Sequence, residues 1–447
     1  RSIWVTGVQT CALPICLMSL KIPAGSAARA AHVHTAMLHT AVGTLVSLLA
    51  TASLAADWSE PDLAAAATLR DKALAGTMAF EHVSALVTEV GPRFAGSAGD
   101  AAAVRWALNR LGVLGFSRVH SQDVLVPRWV RGSTQVAIVT PFPQSLVAVT
   151  IGGSVGTAEE GIEAPVLSVA SLDALTALAP TAVSGKIVFI DERMERTRDV
   201  SGYGRAVRNR SQGPSVAGNL GAAALIIRSV GTSNERVAHT GALAYRSDAP
   251  RIPAFSLSNP DADLLARQLQ TGKTVRMRLH SSARELPPAW SANVIGEIPG
   301  RERPDEIVLL GAHLDSWDLS PGALDDGAGV AIAMEAARLI AKLGQSPART
   351  IRVVLFANEE FGLSGAKEYA RLAGDATDRH ILAIEADLGA GPVWKLQSLV
   401  AVEALAAVSG IAQILAPLQI ENAGNTATGG SDLRPLRDAG EIGRAHV

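Results

Sequence analysis

The chain changes its hydrophobic rhythm twice. Over residues 61–114, Leu63, Leu69, Leu74, Phe80, Val83, Leu86 and Val87 recur on helical faces with alanine between them, which predicts helices broken by a turn at GPRFAGS, residues 91–97. After Gly115 the period shortens, and runs such as 124–126 and 135–139 read as strands. Between about 152 and 286 short apolar segments (165–170, 185–191, 222–227, 252–257, 274–279) predict strands joined by brief helices. The polar stretch 192–213 has no hydrophobic period and reads as a long loop.

From Asn293 the order becomes strand (307–311), helix (327–343), strand (351–357), helix (362–372), strand (380–386). That alternation predicts right-handed crossovers and an α/β fold, a mostly parallel sheet with helices on both faces. The β-rich α/β block at 151–289 then reads as a domain inserted between an N-terminal part (56–150) and a later part (290–440). Ligand sites in such sheets gather beyond the carboxyl ends of the strands.

Lys and Arg number 40 against 42 Asp and Glu, so the net charge of −2 gives no electrostatic reason for nucleic acid or an acidic membrane surface as partner; a small neutral or zwitterionic substrate fits better. Cys11 and Cys16 are the two cysteines, which excludes a disulfide framework, a cysteine zinc site or a cysteine nucleophile downstream. Residues 1–17 and 441–447 resemble translated sequencing adaptors and are set aside from fold reasoning. Lys21 and Arg29, the apolar run 41–54 and small residues before Ala56 read as a signal peptide over 18–55, hence a secreted or periplasmic protein. No later run is long and apolar enough for a membrane span.

The candidate chemistry lies at the predicted strand ends. His313 stands where the first strand runs out, and Asp315, two residues on, can accept a hydrogen bond from its imidazole and fix which nitrogen faces a metal. Asp325 and Asp326 precede the Gly327-Ala328-Gly329 helix start, where either could cap the helix or one could bridge two cations. Glu359 and Glu360 end the next strand, and paired glutamates at a buried strand mouth repel each other unless cations or protons intervene. One of them can bind metal while the other moves a proton. The last strand offers Glu385 and Asp387, of which Asp387 lies at the strand end with the other candidates.

These motifs, GAHLDSWD, PGALDDGAG, FANEEFGLSGA and EADLGAG, resemble the zinc aminopeptidase family with two co-catalytic metals. The resemblance covers about residues 63–440. It implies that the inserted block is a protease-associated domain, and that two Zn2+ ions are held by His313 and Glu360 on one, Asp387 on the other, with Asp325 bridging. Glu359 would be the general base and Asp315 would orient His313. A second histidine is expected after the Gly429-Gly430-Ser431-Asp432 segment but is not found before Gly440; His446 belongs to the adaptor-like tail and is not assigned. The implied function is a zinc-dependent exopeptidase of dipeptides or short peptides. An aminopeptidase on longer peptides and a non-catalytic peptide-binding module are the competing readings, and a homodimer is left open. His239, in the inserted block, reads as a loop or interface residue.

Overall fold

The computed structural model describes residues 58–374, 379–387, 389 and 391–439, with the main chain of 445–446. The signal-peptide segment, both cysteines and, but for that main chain, the adaptor-like ends lie outside the described residues. Among the described residues no helix is long and apolar enough to cross a membrane.

Three parallel strands form the centre of the first sheet. Arg303–His313 lies between Arg349–Phe356 and His380–Glu385, and the apolar run of each (307–312, 353–356, 381–384) is almost wholly buried, as a strand covered on both faces must be. Beyond Arg349–Phe356 the sheet turns antiparallel, through Arg284–Ile298 and then Arg118–Val130 at the edge, so the parallel order expected from the sequence holds for the centre and gives way outside it.

The helix Ala328–Ala341 follows the His313 strand and is buried on nearly every side, because its alanines let Met78–Ala85 and Glu60–Ala75 pack closely over it. Helix Ala98–Val113 starts at Ser97, whose Oγ accepts the amide of Asp100 at 3.1 Å, a cap that closes the GPRFAGS turn.

A second sheet of eight strands is built from residues 134–281. Its first strand, Thr134–Thr140, pairs antiparallel with its last, Arg276–Ser281, so the block begins well before the division at 150 expected from the sequence and ends before 289. The difference has a simple cause: Arg118–Val130 and Arg284–Ile298 run side by side, Arg118 opposite Glu297 and Val130 opposite Arg284, and carry the chain out and back as one ribbon. The ribbon's register slips between Val126 and Arg128, at Pro127, which has no N–H to give.

The polar stretch 192–213 is not a continuous loop, for it contains the helix Ser201–Ser211. Its buried residues are Gly202, Ala206, Asn209 and Arg210, and the polar two donate hydrogen bonds to Glu192, Thr240 and Tyr203. A helix that buries small and hydrogen-bonded polar residues leaves no hydrophobic period to read.

His82, on Met78–Ala85, is fully buried and accepts a hydrogen bond at Nδ1 from Arg110 Nε at 3.1 Å. Burial, then the charges of Arg110 and Arg338, lower its pKa to about 4 against an opposing pull from Glu81. The unfolded chain takes this proton near the ordinary value of about 6.5, so between there and 4 the unfolded state binds more protons and stability falls with pH. Denaturant titrations should show roughly 2 kcal/mol lost to this group between pH 7 and 5. That part of the loss should vanish in His82→Gln; an unchanged slope would exclude His82 as its source.

Candidate metal centre

The three central strands end on the same edge of the sheet, and the chain turns there bring the acids to His313. The imidazole is buried, with Nδ1 3.1 Å from the main-chain carbonyl of Asp315. A proton on Nδ1 leaves Nε2 as the outward-facing ligand atom. Nε2 lies 3.0 Å from Asp325 Oδ1 and 3.8 Å from Asp387 Oδ1, and these ligand atoms all fall within 4.8 Å of one another.

Asp325 and Asp326 turn their carboxylates to different partners. Asp326 is fully buried; its Oδ2 accepts the amide of His313 at 3.0 Å and its Oδ1 that of Gly329 at 3.0 Å. It is the cap, and a side chain at Gly329 would strike both its carboxylate and the carbonyl of Ala386. Asp325, whose side chain is 60% exposed, points to Nε2 of His313.

Asp315 does more than the sequence suggests. Its carbonyl meets the imidazole, while its carboxylate accepts the amides of Glu359 at 2.9 Å and Glu360 at 3.3 Å and so clamps the turn that bears both glutamates. That turn is possible because Asn358 adopts a left-handed conformation, φ 59°, which asparagine tolerates better than most residues. The Asn358 amide then ties back to Phe361 and Ser364.

Glu360 lies outside the group formed by His313, Asp325 and Asp387, the one such group among the described residues. Asp387 therefore stands beside His313, a different partition from the ligand pairing implied by the family resemblance. Glu385 points elsewhere: its Oε2 accepts the amides of Asp432 at 3.0 Å and Leu433 at 3.1 Å.

A sequence profile of peptidase family M28 matches residues 293–445. Carboxypeptidase Q of Rattus norvegicus is 36% identical over 350 residues, 78% of this chain and 73% of its own. The chain is a carboxypeptidase Q-like member of peptidase family M28. The crystal structure of a peptidase M28 precursor from Shewanella amazonensis superposes with a TM-score of 0.81 at 42% identity, covering 84% of each chain. A zinc aminopeptidase from Bacillus subtilis shares the fold, with a TM-score of 0.60 at 23% identity over 83% of this chain and 84% of its own.

The electrostatics of this M28 site ask for a cation. Burial above all, with Asp387, Asp315 and Asp325 adding to it and His313 opposing, holds the Glu359 carboxyl up at about 7. Glu360 is pushed well above the ordinary range by burial and then Asp325. The imidazole of His313 is buried, which disfavours its charge, yet Asp315, Asp325 and Asp387 draw its pKa well above the usual value. A proton on Nε2 thus occupies the place where a bound cation would sit. One imidazole and two carboxylates suit zinc and other first-row divalent ions, so the residues present fit a metal.

Arg93, in the GPRFAGS turn, escaped the sequence reading. It is fully buried, donates from Nε to the carbonyl of Leu314 and from Nη2 to that of Gly322 at 2.9 Å, and so binds the loops that carry His313 and Asp325 to each other. An arginine between Pro and Phe carries no ligand-like spacing, so only its invariable need for buried partners could have flagged it.

Two neighbouring substitutions should separate structure from ligation. Asp326→Asn offers one acceptor where two amides need them and should cost about 1–3 kcal/mol of metal-free stability. Asp325→Asn should leave that stability nearly unchanged but weaken zinc binding, measured calorimetrically, by at least the roughly 10–100-fold typical of outer-shell losses. The reverse pattern would exchange the two roles.

Proposed function

We propose that the chain is a zinc-dependent exopeptidase that hydrolyses dipeptides or short peptides, with Glu359 as general base and two zinc ions held by His313, Asp325, Glu360 and Asp387. The reading rests on one observation above all: a buried imidazole with a defined outward nitrogen meets two carboxylates at the strand ends, next to a glutamate held near neutrality. It is supported by likeness to carboxypeptidase Q of rat and to the zinc aminopeptidase of Bacillus subtilis. On this reading Asp325, the most exposed member, and Glu360, which lies outside the His313 group, would complete the set of side chains that holds the ions.

When bound, the ions supply Lewis acidity that polarises the scissile carbonyl and makes a water easier to deprotonate. The protein's own residues do the rest. Glu359 accepts the proton of the attacking water and returns it to the departing amine, a task suited to a group whose pKa lies near 7. Asp315 holds Glu359 at its station through the main chain, leaving the side chain free to move the proton. The carbonyl of Asp315 fixes the tautomer of His313.

We further read the second sheet as a protease-associated domain and, from the charged and apolar segments before Ala56, place the enzyme outside the cytoplasm.

Hydrolysis of a dipeptide panel by the zinc-loaded protein and its Glu359→Gln variant tests the reading. The variant should lose roughly 10²–10⁴-fold in kcat while still binding zinc. Equal turnover in both would remove Glu359 from the mechanism, and absence of turnover in both with zinc bound would favour a peptide-binding module.

A further inference from the structure

Two consecutive glycines of the second domain lie against the turns that carry the acids. Gly152 and Gly153 follow strand Ala148–Thr150, which pairs with Ala254–Leu257. The main chain there is pinned to its own domain on three sides: Ile151 donates its amide to the carbonyl of Ala254 at 3.0 Å, Gly152 donates to that of Gly241 at 3.0 Å, and the carbonyl of Gly152 accepts the amide of Leu243 at 2.9 Å. Both glycines are buried, and neither has room for a side chain. A Cβ on Gly152 would overlap Cζ3 and Cη2 of Trp317, and one on Gly153 would lie 2.9 Å from the ring of Phe361. Gly153 also has φ 82°, a conformation that glycine adopts without cost.

The two rings stand at the two ends of one clamp. Trp317 is two residues beyond Asp315, and Phe361 directly follows Glu360. The Asp315 carboxylate accepts the amides of Glu359 and Glu360, while its carbonyl meets Nδ1 of His313. Trp317 and Phe361 also meet each other edge-on, with centroids 6.5 Å apart, and Phe94 lies against both. Behind them Ser316 is held in turn, for its Oγ accepts the main-chain N–H of Arg93 at 3.2 Å. Packed rings and main chain of this kind yield together, because a close-packed interior passes strain on to its neighbours.

Resting on the zinc-exopeptidase reading above, we propose that Gly152 and Gly153 are positioning residues for the metal centre. The second domain seats bare main chain on Trp317 and Phe361 and so fixes both ends of the Asp315 clamp, and with it His313, Glu359 and Glu360. The glycines act through the two rings, and their lack of a side chain is what lets the domains close to this distance. The second domain thereby belongs to the framework of the metal centre.

Calorimetric zinc binding to the metal-free protein, and hydrolysis of alanyl-alanine at saturating zinc, test this in Gly152→Ala, Trp317→Phe and the double variant. Phenylalanine lacks Cζ3 and Cη2, so it vacates the space that the alanine methyl needs. Gly152→Ala should weaken zinc binding at least about tenfold, the lower end of what disturbing an outer-shell partner costs, and lower kcat by a similar factor with KM nearly unchanged. The double variant should return both quantities to the level of Trp317→Phe alone, the non-additivity expected of residues in contact. A glycine needed for folding alone would lower the melting temperature and leave zinc affinity and kcat at their wild-type values, and that result overturns the assignment, as does a loss that Trp317→Phe fails to relieve. If Gly152→Ala does not fold, Trp317→Phe alone decides: its loosened contact should weaken zinc binding, and wild-type affinity there overturns the assignment. A wild type that binds zinc without hydrolysing alanyl-alanine sinks the exopeptidase reading, while the zinc affinities of the variants still judge the positioning role.

Discussion

Asp326 accepts the amide of His313 with one oxygen and the amide of Gly329 with the other, so a single buried carboxylate joins the end of the central strand to the start of the helix that follows it. Its burial makes the junction stiff, because either amide left unpaired would cost about 1–3 kcal/mol. Asp325 is placed by this junction, since it is the adjoining residue. Asp315 performs the matching service on the other side, where its carboxylate takes the amides of Glu359 and Glu360. Two acids that do not enter the His313 group therefore determine where Asp325 and the two glutamates stand.

Much of this was legible in the chain, for reasons that differ by residue. The central strands carry apolar runs that end in polar residues, a pattern that gives both burial and edge and points to His313, Glu359 and Asp387 as candidates, whereas Asp325 is singled out by its place before the helix start at Gly327. Which member of the Asp325-Asp326 pair turns to His313 Nε2 was not legible in the residue pattern, because adjacent residues of one type differ only in direction. The grouping of Asp387 with His313 depends on the register between strands, which no local pattern encodes. Helix Ser201–Ser211 was missed because it buries Asn209 and Arg210 in place of an apolar stripe. Arg93 was invisible for a related reason, its partners being main-chain carbonyls more than two hundred residues away.

The two sheets meet at an aromatic cluster. Phe94 and Trp317 stack with centroids 5.0 Å apart, Phe361 lies 5.7 Å from Phe94, and Trp129 donates its indole N–H to the carbonyl of Ser154 at 2.9 Å. Three of the rings sit beside a residue already discussed: Phe94 next to Arg93, Trp317 shortly after Asp315, Phe361 directly after Glu360. Arg131 lies over the Trp129 ring and pairs with Asp318 at 2.5 Å, which keeps its buried charge compensated. Ala242 of the second domain packs against this cluster, so the turns that hold the acids and the second domain share one set of rings.

The ribbon formed by Arg118–Val130 and Arg284–Ile298 has a consequence for how the chain assembles. Viewed from the first sheet, everything between the two strands is the loop of one very long hairpin. Closing a loop costs entropy only as the logarithm of its length, so a loop of this size adds little more than one several times shorter. The first sheet can therefore complete its edge whenever the two strands meet, and the intervening segment is free to vary in length without altering that edge. In evolutionary terms the ribbon is a socket: it accepts a whole folded unit at a position where the host sheet registers only a turn.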